Sequence, residues 1–404
     1  FYGVVGYWGS GLMIGEQPRW RGMDREPRDF GIQGEVVSFR SLDGVHLKAW
    51  WLPAEGTQRA TVIIAHGIDH TRQVMLGRAA FLVRGGYNAL PLDLRGHGES
   101  GGQFVSPGLV EKRDLLSAIQ FVRSRGERGP IALLGVSYGA VACLLTAAES
   151  EEVGAVVSDG AFPTGKDVFR NISGYYLHDS SRSPLSRSLF ATASFPGVVP
   201  AIVLAYYLRT GIYLGLDFVS VLPAASRIAC PVLLISGERD WIVPTADARK
   251  ILAALPGTGK RLVTIPSAFH DTTYNTAPVL YQEAVLSFLD SNFKRREKSK
   301  GEPGQAEPRC PHRRLLGSSG LARVFSQQPV PSPLLAAPVC GRGDPADQKA
   351  ARQRIAACRQ AQPPPKQIPI CLVNRALEGA HGGVCQARRA GGLGQCSDPS
   401  EKWI

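Results

Sequence analysis

Three common chemistries have no motif in these 404 residues. There is no His-Glu-x-x-His for a zinc-bound water and no Gly-x-x-x-x-Gly-Lys-Ser/Thr loop for nucleotide phosphates. No Gly-x-Gly-x-x-Gly opens at a first strand. Neither a metal nor any other cofactor is expected. Cysteine is scarce where a disulfide framework would need it, because only Cys143 and Cys230 fall in the first 300 residues. Both stand in apolar settings (Ala-Cys-Leu-Leu and Ala-Cys-Pro-Val) that suit buried thiols. Cys310, Cys340, Cys358, Cys371, Cys385 and Cys396 show no Cys-x-x-Cys spacing and no paired histidines, which argues against a zinc site.

Aromatic residues nearly vanish after residue 300, where only Phe325 and Trp403 remain of 32. The same stretch holds 13 of the 29 prolines and carries +7 of the formal +12 charge, leaving +5 on the first 300 residues. Basicity is thus a property of the tail, and no nucleic-acid partner is expected. With Pro363-Pro364-Pro365 and little apolar periodicity, residues 297–404 are expected to be mostly disordered and outside the fold. An out-of-frame translation of a GC-rich gene is the expected origin, with a real interaction tail as the competing reading.

The chain begins at Phe1 rather than methionine, so a fragment or processed product is expected. Phe1 to Ile14 is apolar, with Tyr2, Tyr7 and Trp8, yet a bilayer span needs about 20 residues. Two readings stay open for residues 1–30: the end of a truncated membrane anchor, or a surface-packed segment. If an anchor exists, Arg19, Arg21, Arg25 and Arg28 favour a cytoplasmic position for the domain beyond them. Localisation is accordingly expected to be cytoplasmic or membrane-associated.

Residues 31–296 carry a regular rhythm. Glu35–Arg40 and Val45–Leu52 flank Asp43-Gly44, a hairpin signal. The runs Thr61–Ala65, Tyr87–Leu92, Pro130–Leu134, Gly154–Ser158, Val232–Ser236 and Arg261–Ile265 read as buried strands. Helical spacing is read over Thr71–Arg84, Pro107–Arg125, Thr245–Leu255 and Ala277–Phe293. Strands alternating with helices predict an α/β fold: a mostly parallel, eight-stranded sheet covered on both faces. Residues 162–225 break the rhythm and are expected to form a small helical cap shaping an apolar pocket.

Gly135-Val136-Ser137-Tyr138-Gly139 lies between a strand-like run and a small apolar helix, the setting of a nucleophile elbow. Gly135 and Gly139 supply the missing Cβ atoms that so sharp a turn requires. A serine nucleophile needs a base, an orienter for it, and donors for the oxyanion. His270 follows the strand Arg261–Ile265 and Asp240 follows Val232–Ser236, so both emerge at the sheet edge that presents Ser137. Glu238 and Asp159 are rivals for the acid. The backbone amides of Ile68 and Tyr138 are the candidate oxyanion donors. His66 reads as structural, and Asp93, Arg95 and His97 as braces at the rim of the site.

These residues carry a resemblance. His66-Gly67, Asp93-Leu94-Arg95-Gly96-His97-Gly98-Glu99-Ser100, the elbow, and Gly237-Glu238-Arg239-Asp240 with His270-Asp271 look like the α/β-hydrolase superfamily. Within it the chain resembles bacterial serine hydrolases of the serine-aminopeptidase and monoacylglycerol-lipase-like branch. The resemblance spans about residues 30–295, and the long tail departs from it. It implies a small-molecule acyl substrate and a Ser-His-Asp hydrolase. Ester cleavage is expected, with acyl transfer, peptide or thioester cleavage as alternatives and a non-catalytic ligand-binding member further behind.

Overall fold

Period-two alternation builds the sheet. In β3 (Ala60–Ala65) Ile63 and Ala65 enter one apolar layer while Val62 and Ile64 enter the other. In β5 (Ile131–Val136) Ile131 and Leu133 oppose Ala132 and Leu134 in the same way. Strands buried on both faces need helices on both sides, and such strands read as continuous hydrophobic runs. The computed structural model describes residues 25–178, 197–217 and 219–299, all within the unit Phe1–Arg313. The expectations for residues 1–24 and 300–404 lie outside the described residues.

Six further strands complete the sheet: β1 (Glu35–Arg40), β2 (His46–Trp51), β4 (Tyr87–Leu92), β6 (Val153–Asp159), β7 (Val232–Gly237) and β8 (Lys260–Ile265). Their order is β1-β2-β4-β3-β5-β6-β7-β8. The β1–β2 and β2–β4 pairs are antiparallel and every other pair is parallel. The described helices are α1 (Leu76–Arg84), α2 (Lys112–Ser124), α3 (Tyr138–Ala147), α4 (Gly165–His178), α5 (Val198–Thr210), α6 (Leu222–Ala225), α7 (Thr245–Ala254), α8 (Thr273–Thr276) and α9 (Pro278–Ser299). Residues of α2, α3 and α7 join one apolar layer, and residues of α1 and α9 join the other. Because β3 through β8 are parallel, their carboxyl ends gather at one edge, where open α/β sheets hold their ligands.

The region between β6 and β7 is inserted at a single point. Thr164 and Ser220 form an antiparallel bridge, Val221 donates its amide to Pro163 at 2.9 Å, and Gly165 donates to Val219 at 3.2 Å. Helix α5 buries Val198, Ile202, Val203 and Tyr206, one helical face, and the Tyr206 hydroxyl donates to the Val105 carbonyl at 2.9 Å. Helix α4 leans on the loop after β7: Tyr175 stacks on Trp241 with ring centroids 3.9 Å apart, and Asn171 donates to the Ile242 carbonyl.

Several boundaries differ from the sequence expectation, each for a local reason. The helix expected over Pro107–Arg125 starts only at Lys112. The buried Glu111 carboxylate accepts the amides of Ser106 and Gly108 at 2.9 and 3.0 Å and holds the preceding residues in a tight loop. Gly108 has φ +95° there, and a Cβ on it would lie 2.7 Å from Val141 Cγ1. The stretch from Thr71 opens as a 3₁₀ turn, Arg72–Met75, with the Thr71 hydroxyl accepting the Gln73 amide; α1 comes directly after it. The last helix runs beyond Phe293 to Ser299. Cys143 is buried as expected, whereas Cys230, in the loop two residues before β7, is only half-buried.

Candidate active site

Strand β5 delivers Ser137 into a turn so tight that its backbone sits at φ 51°, ψ −116°, a conformation non-glycine residues rarely adopt. Two features hold it there. The Ser137 amide donates to the Asp159 carbonyl at 2.7 Å, and α3 begins at the next residue. The flanking glycines have no room for a side chain: a Cβ on Gly135 would lie 2.4 Å from the Gly139 carbonyl oxygen, and one on Gly139 2.5 Å from that of His66.

Loops after β7 and β8 bring the other two groups. Ser137 Oγ lies 2.8 Å from His270 Nε2, and His270 Nδ1 lies 2.7 Å from Asp240 Oδ2. The second Asp240 oxygen accepts the amides of Ile242 and Val243 at 3.0 and 2.8 Å, so the carboxylate is fixed on both sides. In the neutral imidazole, with Nδ1–H donating to Asp240, the Nε2 lone pair faces the serine hydroxyl. Burial alone would disfavour the imidazolium. The neighbouring Asp271 charge and the Asp240 hydrogen bond outweigh it, and His270 is pushed up to about 9.

The amides of Ile68 and Tyr138 donate to no protein acceptor among the described residues. For Tyr138 this results from its place in the first turn of α3, whose amides have no intrahelical partner. The turn at Gly67 closes on the serine: a Cβ on Gly67 would lie 3.7 Å from Ser137 Cβ. His66 sets that turn, donating from Nδ1 to the Gly67 carbonyl at 2.7 Å and accepting the Leu94 amide on Nε2 at 3.0 Å. Its burial pushes its titration well below the usual imidazole range, so it stays neutral.

The Asp93–Ser100 loop is a brace made of charges. Asp93 pairs with Arg72, which also reaches Glu99. Arg95 spans Asp114 at 2.7 Å, Asp43 at 2.7 Å and Ser41 at 2.9 Å, tying the β1–β2 turn to α2. Of the rival acids, Glu238 accepts the Ser267 amide at 2.8 Å. Asp159 is buried against Arg78 at 3.1 Å and Thr273 at 2.7 Å, and makes no bond to His270. His46 is exposed on β2. His312 and His381 lie outside the described residues, as does the His178 side chain. Among the described residues, no group of three or more His, Cys, Asp or Glu is arranged to hold a metal ion.

Two features went unread in the sequence. Arg78 is fully buried, donating to Asp159 and to the Tyr281 hydroxyl while lying over the rings of Tyr274 and Tyr281. An arginine within a helix gives no sign of such burial. Asp271 sits 3.5 Å from His270 Nε2, and the only signal for it was its place next to the histidine.

Comparison with known proteins agrees with this architecture. A family model described as serine aminopeptidase, S33, matches residues 56–178 and 209–277. The chain is 29% identical over 252 residues to the protein YqkD of Bacillus subtilis, covering 62% of this chain and 77% of that one. It is 24% identical over 270 residues to the monoglyceride lipase of Rattus norvegicus, covering 61% and 86%. Among solved structures, the Pyrococcus furiosus esterase Pf2001 superposes with a TM-score of 0.55 at 24% identity, over 69% of this chain and 98% of that one. The sheet order and the strand-to-helix serine turn give the chain the α/β-hydrolase fold, and with these matches they mark it as an α/β-fold hydrolase.

Proposed function

We propose that the protein hydrolyses carboxylic esters of small molecules through an acyl-enzyme on Ser137. The observation that carries this reading is the unbroken chain of hydrogen bonds from Ser137 Oγ to His270 to the doubly anchored Asp240. His270 takes the serine proton as Oγ attacks the acyl carbonyl, and the imidazolium that forms lies against the Asp240 carboxylate. The Ile68 and Tyr138 amides receive the oxyanion. His270 then protonates the leaving alcohol, and in the second half it activates the water that releases the acid. The monoglyceride lipase among the similar proteins supports an ester, and the family description, serine aminopeptidase, makes amide cleavage the second reading.

Ser137→Ala tests the assignment. Turnover of a p-nitrophenyl ester should fall by about 10³-fold or more, with the melting transition in place, and a fluorophosphonate probe should label the parent protein only. Undiminished turnover in the variant would sink the reading. Alcohol acceptors added to the assay should leave the acid as the main product; predominant transfer to the acceptor would make the enzyme an acyltransferase.

A further inference from the structure

One charged group beside the nucleophile is unused by that mechanism. Asp271 Oδ1 lies 3.5 Å from Nε2 of His270, the nitrogen that faces Ser137, rather than the one that faces Asp240. That oxygen is buried and has no hydrogen-bond partner among the described residues. The other oxygen lies 3.5 Å from where a Cβ on Gly67 would be, and Ser137 Cβ is 3.7 Å from the same point. The carboxylate therefore flanks the turn that aims the Ile68 amide. Among the described residues no Lys or Arg pairs with it. The buried cation Arg78 is taken by Asp159.

A purely conformational role does not account for this group. Asp271 has φ 60°, a region that Asp and Asn tolerate, and in such turns the side chain commonly accepts a nearby backbone amide. Here none donates to it; the Phe269 amide goes to the Thr272 hydroxyl instead. With His270 neutral, as a base must be, the Asp271 charge has no counter-charge and opposes the developing oxyanion of a neutral or anionic ester. It also holds His270 in its protonated form, which is idle as a base. A positive group on the substrate, seated against Asp271, would relieve both penalties.

We infer that Asp271 is a specificity-determining residue, and that the preferred substrates carry an ammonium group within a few ångströms of the scissile carbonyl. This rests on Ser137 being the nucleophile. The groups facing the carboxylate fit a substrate cation as the missing partner: His270 on its own loop, His70 and Ser137 across Gly67, and Asp159 at the end of β6, already neutralised.

The test compares a choline ester with the 3,3-dimethylbutyl ester of the same acid, equal in shape and lacking only the charge, with a hemisuccinate ester as the anionic member. Acid release is measured by titration at low salt. Opposite charges about 4 Å apart near a partly solvated surface support a preference in kcat/KM of about tenfold or more for the cation, with the anion slowest. Asp271→Asn keeps the shape and tolerates the positive φ. In it the three rates should converge to within about threefold, while fluorophosphonate still labels Ser137. Should the variant not fold, about 1 M salt, where the screening length is about 3 Å, should compress the preference in the parent enzyme. Equal rates for the choline and dimethylbutyl esters in the parent would overturn the inference, as would a preference that persists in the variant. Failure of fluorophosphonate to label the parent would instead overturn the ester-hydrolase reading and this inference with it.

Discussion

The Arg78–Asp159 pair should be strongly coupled, and its removal in steps gives a quantitative check on how the site is held. Asp159 is 1% exposed, and its carboxylate accepts from the Arg78 guanidinium and the Thr273 hydroxyl. Arg78 in turn donates to Tyr281 at 3.2 Å and lies 5.2 Å from the centroids of Tyr274 and Tyr281. Replacing the arginine alone leaves a buried carboxylate without its counter-charge. Breaking one side of such a pair costs about 3–5 kcal/mol. Arg78→Met should lose that much in urea denaturation at pH 8. Asp159→Asn should also destabilise, because it strands the guanidinium. The double variant should recover at least about 2 kcal/mol relative to the sum of the two, since an apolar or neutral replacement of both partners is far cheaper.

The sign of the pH dependence is fixed by the same geometry. Burial already raises Asp159 against the pull of Arg78, and removing Arg78 leaves the raising effect unopposed. In Arg78→Met the folded protein holds a proton on Asp159 that the unfolded chain releases. Stability then falls as pH rises through the window between the two titrations, and the deficit of the variant should be larger at pH 8 than at pH 5. Thr273 bonds Asp159 and lies three residues after His270, so the same variant should lower kcat for ester turnover more than it changes KM. Additive single losses, with coupling below about 0.5 kcal/mol, would refute this account of the pair.

His270 and the glycines give two more expected outcomes. Because His270 titrates near about 9, kcat/KM for a neutral ester should climb with pH through that value; a plateau already reached at pH 7 would contradict the placement of Asp271 beside Nε2. Two glycine-to-alanine changes should differ in sign. Gly139→Ala puts a Cβ 2.5 and 2.7 Å from the backbone oxygens of His66 and Ala65 and should cost at least about 2 kcal/mol in thermal unfolding. Gly174→Ala, in α4 with nothing within 4 Å of the added Cβ, should gain about 0.5–1 kcal/mol. A reversed ranking in melting temperature would count against the packing described at the elbow.

The strands were legible because burial on both faces writes itself as unbroken apolar runs such as Thr-Val-Ile-Ile-Ala, and strand ends then locate the loops that carry Ser137, Asp240 and His270. Helix starts were harder to read. Pro107–Glu111 has helical spacing of apolar residues, but the Glu111 side chain satisfies the amides of Ser106 and Gly108 and stabilises a loop instead. No residue type at Glu111 announces that use. Choosing Asp240 over Asp159 from sequence rested on strand position. What separates them in space is Arg78, 81 residues away from Asp159, which occupies the rival carboxylate. Long-range pairing of that kind leaves no local periodicity to read.

The single point of entry at Thr164–Ser220 has a consequence for how this protein could diversify. Since the two ends of the insertion meet in a bridge, its length does not disturb the register of the sheet. It is also tied to the domain by the packing of α5 on the core and of α4 on the loop after β7. Each doubling of such an excursion costs only about 0.6 kcal/mol in closure entropy. Segments of different length could therefore be exchanged within the insertion while the serine turn and its partners keep their positions, provided that the packing of α4 and α5 is kept. The frame that holds Ser137, His270 and Asp240 and the inserted segment are thus free to change at separate rates.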